Sequence, residues 1–331
     1  MFAYDLIFMF MFRFSTLILA VSSVASGAEP PFTAVAFSPD HKQVLLGSQR
    51  GMEVRSWPEL MFEATIPTEL IHVHDVSFSP DGKTLLAAGG SPAEKGVVEI
   101  ISWPDRKLVR RLECHEDVIY AVTWAPDGLR WATASADGIC QFFEMNTGRK
   151  IAGYEGHSRA VLSLRFTPDG QSIASSGVDQ TLRLWDSATG KHVRTLDNHV
   201  GSVTGIAIRP SNVNRDPHSI DEVTQKNSDS SRAMLATISE DKTVRLWQPA
   251  IGRLMRFTRL PSIPRALAWS AVGDRLFVGC NDGRVRVLDT DSMEVVQDLE
   301  GLEGRIHEIV VDSNGRSILI AGEGVRRIAI E

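Results

Sequence analysis

Cysteine is nearly absent from this chain. The three copies, Cys114, Cys140 and Cys280, stand far apart with no C-x-x-C pair, which excludes a zinc knuckle or a disulfide framework and leaves them as small apolar side chains. Concentrated positive charge is missing too. The 35 basic residues are outnumbered by 41 acidic ones, for a net charge of −6, and never gather in a cluster of five. Affinity for phosphate backbones rests on such clusters, so nucleic acid is not an expected partner. There is no glycine-rich phosphate loop, since the GLEG stretch at 301 reads as a turn. Nor is there an unbroken apolar run fit to span a bilayer: Asp5 and Arg13 interrupt the one candidate, near the N-terminus.

What that N-terminal stretch does have is the layout of a cleavable export signal. From Met11 it reads MFRFSTLILAVSSVASGAEPP, with Arg13, an apolar run from Leu17 to Val21, and small residues ending at Ala25 or Ala28. Residues 1–28 are therefore expected to direct export to a periplasmic or extracellular space; without cleavage the protein would stay cytoplasmic. The ten residues before Met11 fit a signal poorly, and a translation start at Met9 or Met11 repairs the fit. Residues 29–331 are expected to form a single domain.

That domain is built from repeats. The motif AFSPDH at 36 returns as SFSPDG at 77, TWAPDG at 123, RFTPDG at 165, AIRPSN at 207, AWSAVG at 268 and VVDSNG at 310. Successive spacings at the proline position are 41, 46, 42, 42, 61 and 42 residues. Within a unit the texture is β: alternating VLSLRF, a Pro-Asp-Gly turn, QSIASSG, a second tight turn, TLRLW, and a weaker fourth strand such as KHVRTLD. Stretches apolar at both parities, such as SILIAG at 317–322, point to sheets packed on both faces. Two insertions interrupt the period. A polar loop at about 211–232 joins the first two strands of unit five, and GSPAEKG lengthens a turn in unit two.

Gly156-His157, FTPDG, SSGVDQTLRLWD at 175–186 and TISEDKTVRLWQ at 237–248 make the chain resemble the WD40 repeat family. The resemblance covers about 32–331 and is sharpest in units three to five. It implies an all-β fold: a seven-bladed propeller of four-stranded antiparallel blades around a central channel. In that family the last blade is usually completed by an N-terminal strand. Here that strand would be AVSSVAS at 20–26, the residues that signal cleavage would remove, so cleavage implies a three-stranded last blade with an exposed edge.

Unit four places His157, Ser175, Asp179 and Trp185 at offsets 0, 18, 22 and 28. An imidazole, a hydroxyl and a carboxylate are also the makings of a catalytic triad. However, His115, Thr133 and Asp137 repeat the pattern in unit three, with Phe143 in place of Trp, and His199, Thr237, Asp241 and Trp247 repeat it in unit five. A catalytic site is assembled once, where substrate can reach it. A trio repeated unit after unit is structural. The resemblance implies its wiring: imidazole bridging carboxylate and hydroxyl, with the hydroxyl receiving the indole N–H. Unit six has Asp282 but Val278 and Leu288 where hydroxyl and indole belong, so apolar packing is expected to replace the network there.

Function must then lie on the remaining surface. The resemblance implies partner binding on the face holding the first-strand entrances, where the residue five after each Gly-His histidine reaches the channel mouth. Those residues are Thr33, His74, Tyr120, Leu162, Thr204, Arg265 and His307, flanked by Ala136, Val178, Glu240 and Asn281. Tyr and Arg are frequent hot-spot residues. The expectation is a monomeric, non-catalytic scaffold that binds a protein or peptide at this mouth, with no metal and no cofactor. The alternative is an enzyme or small-ligand propeller using the central channel, for which the available titratable groups are His74, Tyr120, Arg265 and His307.

Overall fold

Pro-Asp-Gly turns and β-branched alternation produce short antiparallel strands throughout the chain. The computed structural model describes residues 30–210 and 234–330. The export signal, the alternative starts, residues 20–26 and the polar loop of unit five all lie outside the described residues. Unit four shows how each module forms. Its strands Val161–Phe166, Ser172–Gly177, Leu182–Asp186 and His192–Leu196 pair antiparallel in chain order. The first turn closes through a 2.6 Å bond from Thr167 Oγ1 to Asp169 and a 2.8 Å bond from the Gly170 amide to the Thr167 carbonyl. Gly170 sits at φ +66°, where a Cβ would be strained.

Six such four-stranded sheets and a seventh of three strands form the described residues into an all-β, seven-bladed propeller. The blades span 34–66, 73–115, 119–154, 161–196, 203–259, 264–300 and 306–329. Blade seven consists of Ile306–Val311, Ser317–Gly322 and Val325–Ala329, so its last strand has an open edge among the described residues. The innermost strands touch one another in cyclic order, and that of blade one, Ala34–Phe37, packs on that of blade seven. At this seam the Phe32 amide donates to the Gly322 carbonyl at 2.8 Å.

The core lies between blades, which accounts for strands apolar at both parities. In SILIAG, Ile318 and Ile320 pack with Phe277 of blade six, whereas Leu319 and Ala321 pack with Val44 and Leu46 of blade one. Trp185 joins Phe142 of the preceding blade, and Trp247 joins Leu182 and Leu184 of blade four. Burying each such indole stabilises the ring by about 3 kcal/mol. No helix among the described residues is long and apolar enough to cross a membrane.

Candidate functional site at the channel mouth

In blade five a single hydrogen-bonded chain ties the segment leading into strand one to strands two and three. The Trp247 indole donates to Thr237 Oγ1 at 2.9 Å. His199 lies 2.8 Å from both Thr237 Oγ1, through Nε2, and Asp241, through Nδ1. The carboxylate can only accept, so Nδ1 carries the proton and Nε2 of the neutral ring accepts from the hydroxyl. Burial holds His199 below the ordinary histidine range, against the pull of Asp241. His157 makes the same contacts in blade four, at 3.0 Å to Asp179 and 2.8 Å to Ser175. In blade three His115 lies 2.8 Å from Asp137 and from Thr133. Ser175, Thr133 and Thr237 are all 0% exposed. A nucleophile that no solvent reaches cannot meet a substrate, so the trios serve the blades.

The wiring differs from the sequence expectation at two points. The Trp185 indole N–H is buried without an acceptor, and the Ser175 hydroxyl lies toward Cys140 of the neighbouring blade; among the described residues only blade five completes the four-member chain. In blade six apolar packing does not stand alone. Asp282 pairs at 2.8 Å with Arg286, whose side chain is 4% exposed. This arginine belongs to a recurring position that sequence reasoning missed, four residues after the turn carboxylate. Arg183 and Arg245 occupy it in blades four and five, at 3.6 and 3.5 Å from Asp179 and Asp241. Thr181 and Thr243, two residues after each carboxylate, bond it at 2.9 and 2.6 Å. The Arg-Leu-Trp and Arg-Val-Leu spacings carried that signal. Blade two has its own solution: the fully buried Glu99 accepts from Thr68 Oγ1 at 2.7 Å and the Glu69 amide at 3.0 Å.

The channel face is built by a second regularity. In blades two to seven the innermost strand carries a β-bulge, and its unpaired residue is His74, Tyr120, Leu162, Thr204, Arg265 or His307. A bulge bends the strand and re-aims the extra side chain. Together with Thr33, these residues surround one cavity of about 360 Å³ at the channel mouth. Ala136, Val178, Glu240 and Asn281 do not line it; their amides bond to the carbonyls of Val118, Ala160, Ser202 and Ile263, just before the bulges.

The mouth has two chemically distinct sides. On one, His72 and His74 stack with ring centroids 4.1 Å apart, and Tyr120 meets His74 edge-on at 5.2 Å. Burial, then the neighbouring His72, pushes His74 down to about 4, and burial also lowers His72 and His307. This side is therefore aromatic and uncharged near neutrality. On the other, Arg265 reaches Glu240 at 3.0 Å, while its Nε and the Thr204 hydroxyl are buried without partners.

Sequence reasoning also missed the next layer inward. Asp75, Arg165 and Glu308 line the mouth cavity and also a second cavity of about 530 Å³ that opens toward the Pro-Asp-Gly turns. The titratable groups of the channel are thus not confined to His74, Tyr120, Arg265 and His307. Asp75 accepts the Val76 amide at 2.8 Å and, across the blade boundary, the Val122 amide at 2.9 Å. Burial raises its pKa, and Arg165 partly offsets this. Burial, reinforced by the charge of Asp75, brings Glu308 up to about 7. Among the described residues no group of three or more His, Cys, Asp or Glu is arranged to hold a metal.

Comparison with known proteins falls on the same units. The WD domain, G-beta repeat family matches residues 106–144, 148–186 and 190–248, the stretch with the His, hydroxyl and carboxylate trios. The chain is 26% identical over 146 residues to the guanine nucleotide-binding protein subunit beta of Zea mays, covering 41% of this chain and 37% of that protein. It is 37% identical over 65 residues to the human intraflagellar transport protein 122 homolog, covering 20% of this chain and 5% of that protein. It is 39% identical over 92 residues to rat coronin-7, covering 27% of this chain and 10% of that protein. The chain thus spans only a small part of the intraflagellar transport proteins it matches.

Proposed function

Because the chain belongs to the WD40 repeat family, we propose that it is a non-catalytic interaction scaffold that binds a peptide or protein segment at the channel mouth. One observation carries this reading: seven residues, one from each blade entrance, converge on a single cavity. The composition of that ring suits a polypeptide. Tyr120, with the neutral His74 and His72 beside it, offers flat amphipathic surface, and Arg265 offers directional donors. Side chains of these types supply much of the energy at protein interfaces. The trio hydroxyls of Thr133, Ser175 and Thr237 are committed inside the blades.

Affinity capture with the intact protein tests the reading. Replacing Tyr120 and Arg265 together by alanine should weaken retention of the bound partner at least thirtyfold, since hot-spot truncations cost about 2 kcal/mol or more each. The same variant should keep the wild-type melting temperature. Undiminished binding would reject the mouth as the docking face.

A further inference from the structure

The layer beneath the mouth has an uneven composition. One residue past each bulge, four blades carry the small residues Ala121, Ser163, Gly205 and Ala266, which leave an open shaft, while blades two and seven carry Asp75 and Glu308. Blade one alone separates these two, so both carboxyl groups approach from the same side. Arg165 projects from blade four, across the ring, and donates to the carbonyl of its neighbour Leu164 at 2.8 Å. It acts on the two carboxyls through space rather than by pairing with them. Asp75 is already engaged by two backbone amides, whereas Glu308 accepts the amide of Ile309 and lines the shaft with acceptor capacity to spare.

We propose that this layer receives the ammonium group of a lysine side chain carried by the partner docked at the mouth, with Glu308 and Asp75 as its counter-charges. The inference rests on the mouth being the docking face. A straight four-carbon stem fits a shaft walled by alanine, serine and glycine, and an ammonium supplies three donors to a place with spare acceptors. Burying a carboxyl without such a partner is costly, which is why Glu308 holds its proton up to about neutral pH. A bound cation requires the carboxylate form, so binding releases a proton from Glu308 and strengthens as pH rises through that range. The other titratable groups facing this layer are Asp75, Arg165 and, at the mouth, His74, Tyr120, Arg265 and His307. Burial pushes His74 down to about 4 and also lowers His307 from the ordinary histidine value, so both imidazoles move away from the range in which Glu308 titrates.

The test uses the full chain and three probes: acetyl-Gly-Gly-Lys-Gly-Gly-amide, the same peptide with norleucine for lysine, and n-butylammonium. Titration calorimetry at pH 8 should show the lysine peptide binding at least tenfold more tightly than the norleucine peptide, and more tightly than n-butylammonium. That preference should shrink severalfold at pH 6. It should vanish in Glu308→Gln, and also in Ala266→Leu, which blocks the shaft but keeps both carboxyls. Equal binding of the two peptides, binding of neither, or a lysine preference surviving in Glu308→Gln would overturn the proposal. Butylammonium binding as well as the peptide would make this a free-amine site and also overturn it. A partner lost from the Tyr120 and Arg265 variant but indifferent to Glu308→Gln would refute lysine insertion alone and leave the docking face standing.

Discussion

Asp241→Ala should lower the unfolding free energy by about 3–5 kcal/mol in equilibrium denaturation, the usual cost of removing one member of a buried ionic network. Asp241 accepts from His199 Nδ1 at 2.8 Å, the Thr243 amide at 2.9 Å and Thr243 Oγ1 at 2.6 Å, and lies 3.5 Å from Arg245. Its side chain is 1% exposed, so water cannot take over these contacts, and the imidazole and guanidinium would lose their acceptor together. The pH dependence has a definite sign. Hydrogen bonds from Thr243 and His199 outweigh burial and hold the carboxyl down to about 2, below its ordinary value of about 3.9. A carboxyl lowered on folding contributes stability that is complete above its unfolded pKa and is lost as pH falls through its folded pKa. The wild type should therefore lose this contribution between about pH 4 and pH 2, and the difference from Asp241→Ala should shrink across that interval. A loss below 1 kcal/mol at pH 7 would mean that the trio does not hold the blade.

The second large effect is expected at the seam. A Cβ on Gly322 would fall 1.9 Å from the carbonyl oxygen of Arg305, where only backbone could yield. The Gly322 carbonyl accepts the Phe32 amide that joins blade seven to blade one. Gly322→Ala should therefore cost about 3 kcal/mol, the upper end for forced overpacking, and displace the chain leading to His307. Gly324→Ala provides the control, because a Cβ there meets nothing within 4 Å; it should change stability by less than about 0.5 kcal/mol. Equal melting temperatures for the two variants would remove the seam from the account.

Much of this was legible in the sequence because the signals are local. The 42-residue period, the Pro-Asp-Gly turns and the fixed offsets from His157 to Ser175 and Asp179 specify a blade without knowledge of its neighbours. The mouth ring was legible for the same reason, since one offset per repeat locates all seven residues. What stayed hidden depends on bulges or on contacts between elements. In a regular strand His74 and Asp75 would face opposite sides; the bulge brings both to the channel, so simple alternation misplaces Asp75 and Glu308. Arg286 reads as one more scattered basic residue until the third strand sets it against Asp282. The unpaired Trp185 indole cannot be deduced from spacing, because Ser175 and Thr237 occupy equivalent positions and only the latter receives the indole N–H.

The proposed function places docking at the mouth of the channel and leaves the buried trios of His115, His157 and His199 to hold the blades. Hydrogen–deuterium exchange of the captured complex against the free protein tests it most directly. New protection is expected in the segments around Thr33, His74, Tyr120, Leu162, Thr204, Arg265 and His307, with the outer strands unchanged. Protection confined to the outer strands or to the Pro-Asp-Gly turns, with the mouth exchanging as in the free protein, would contradict it.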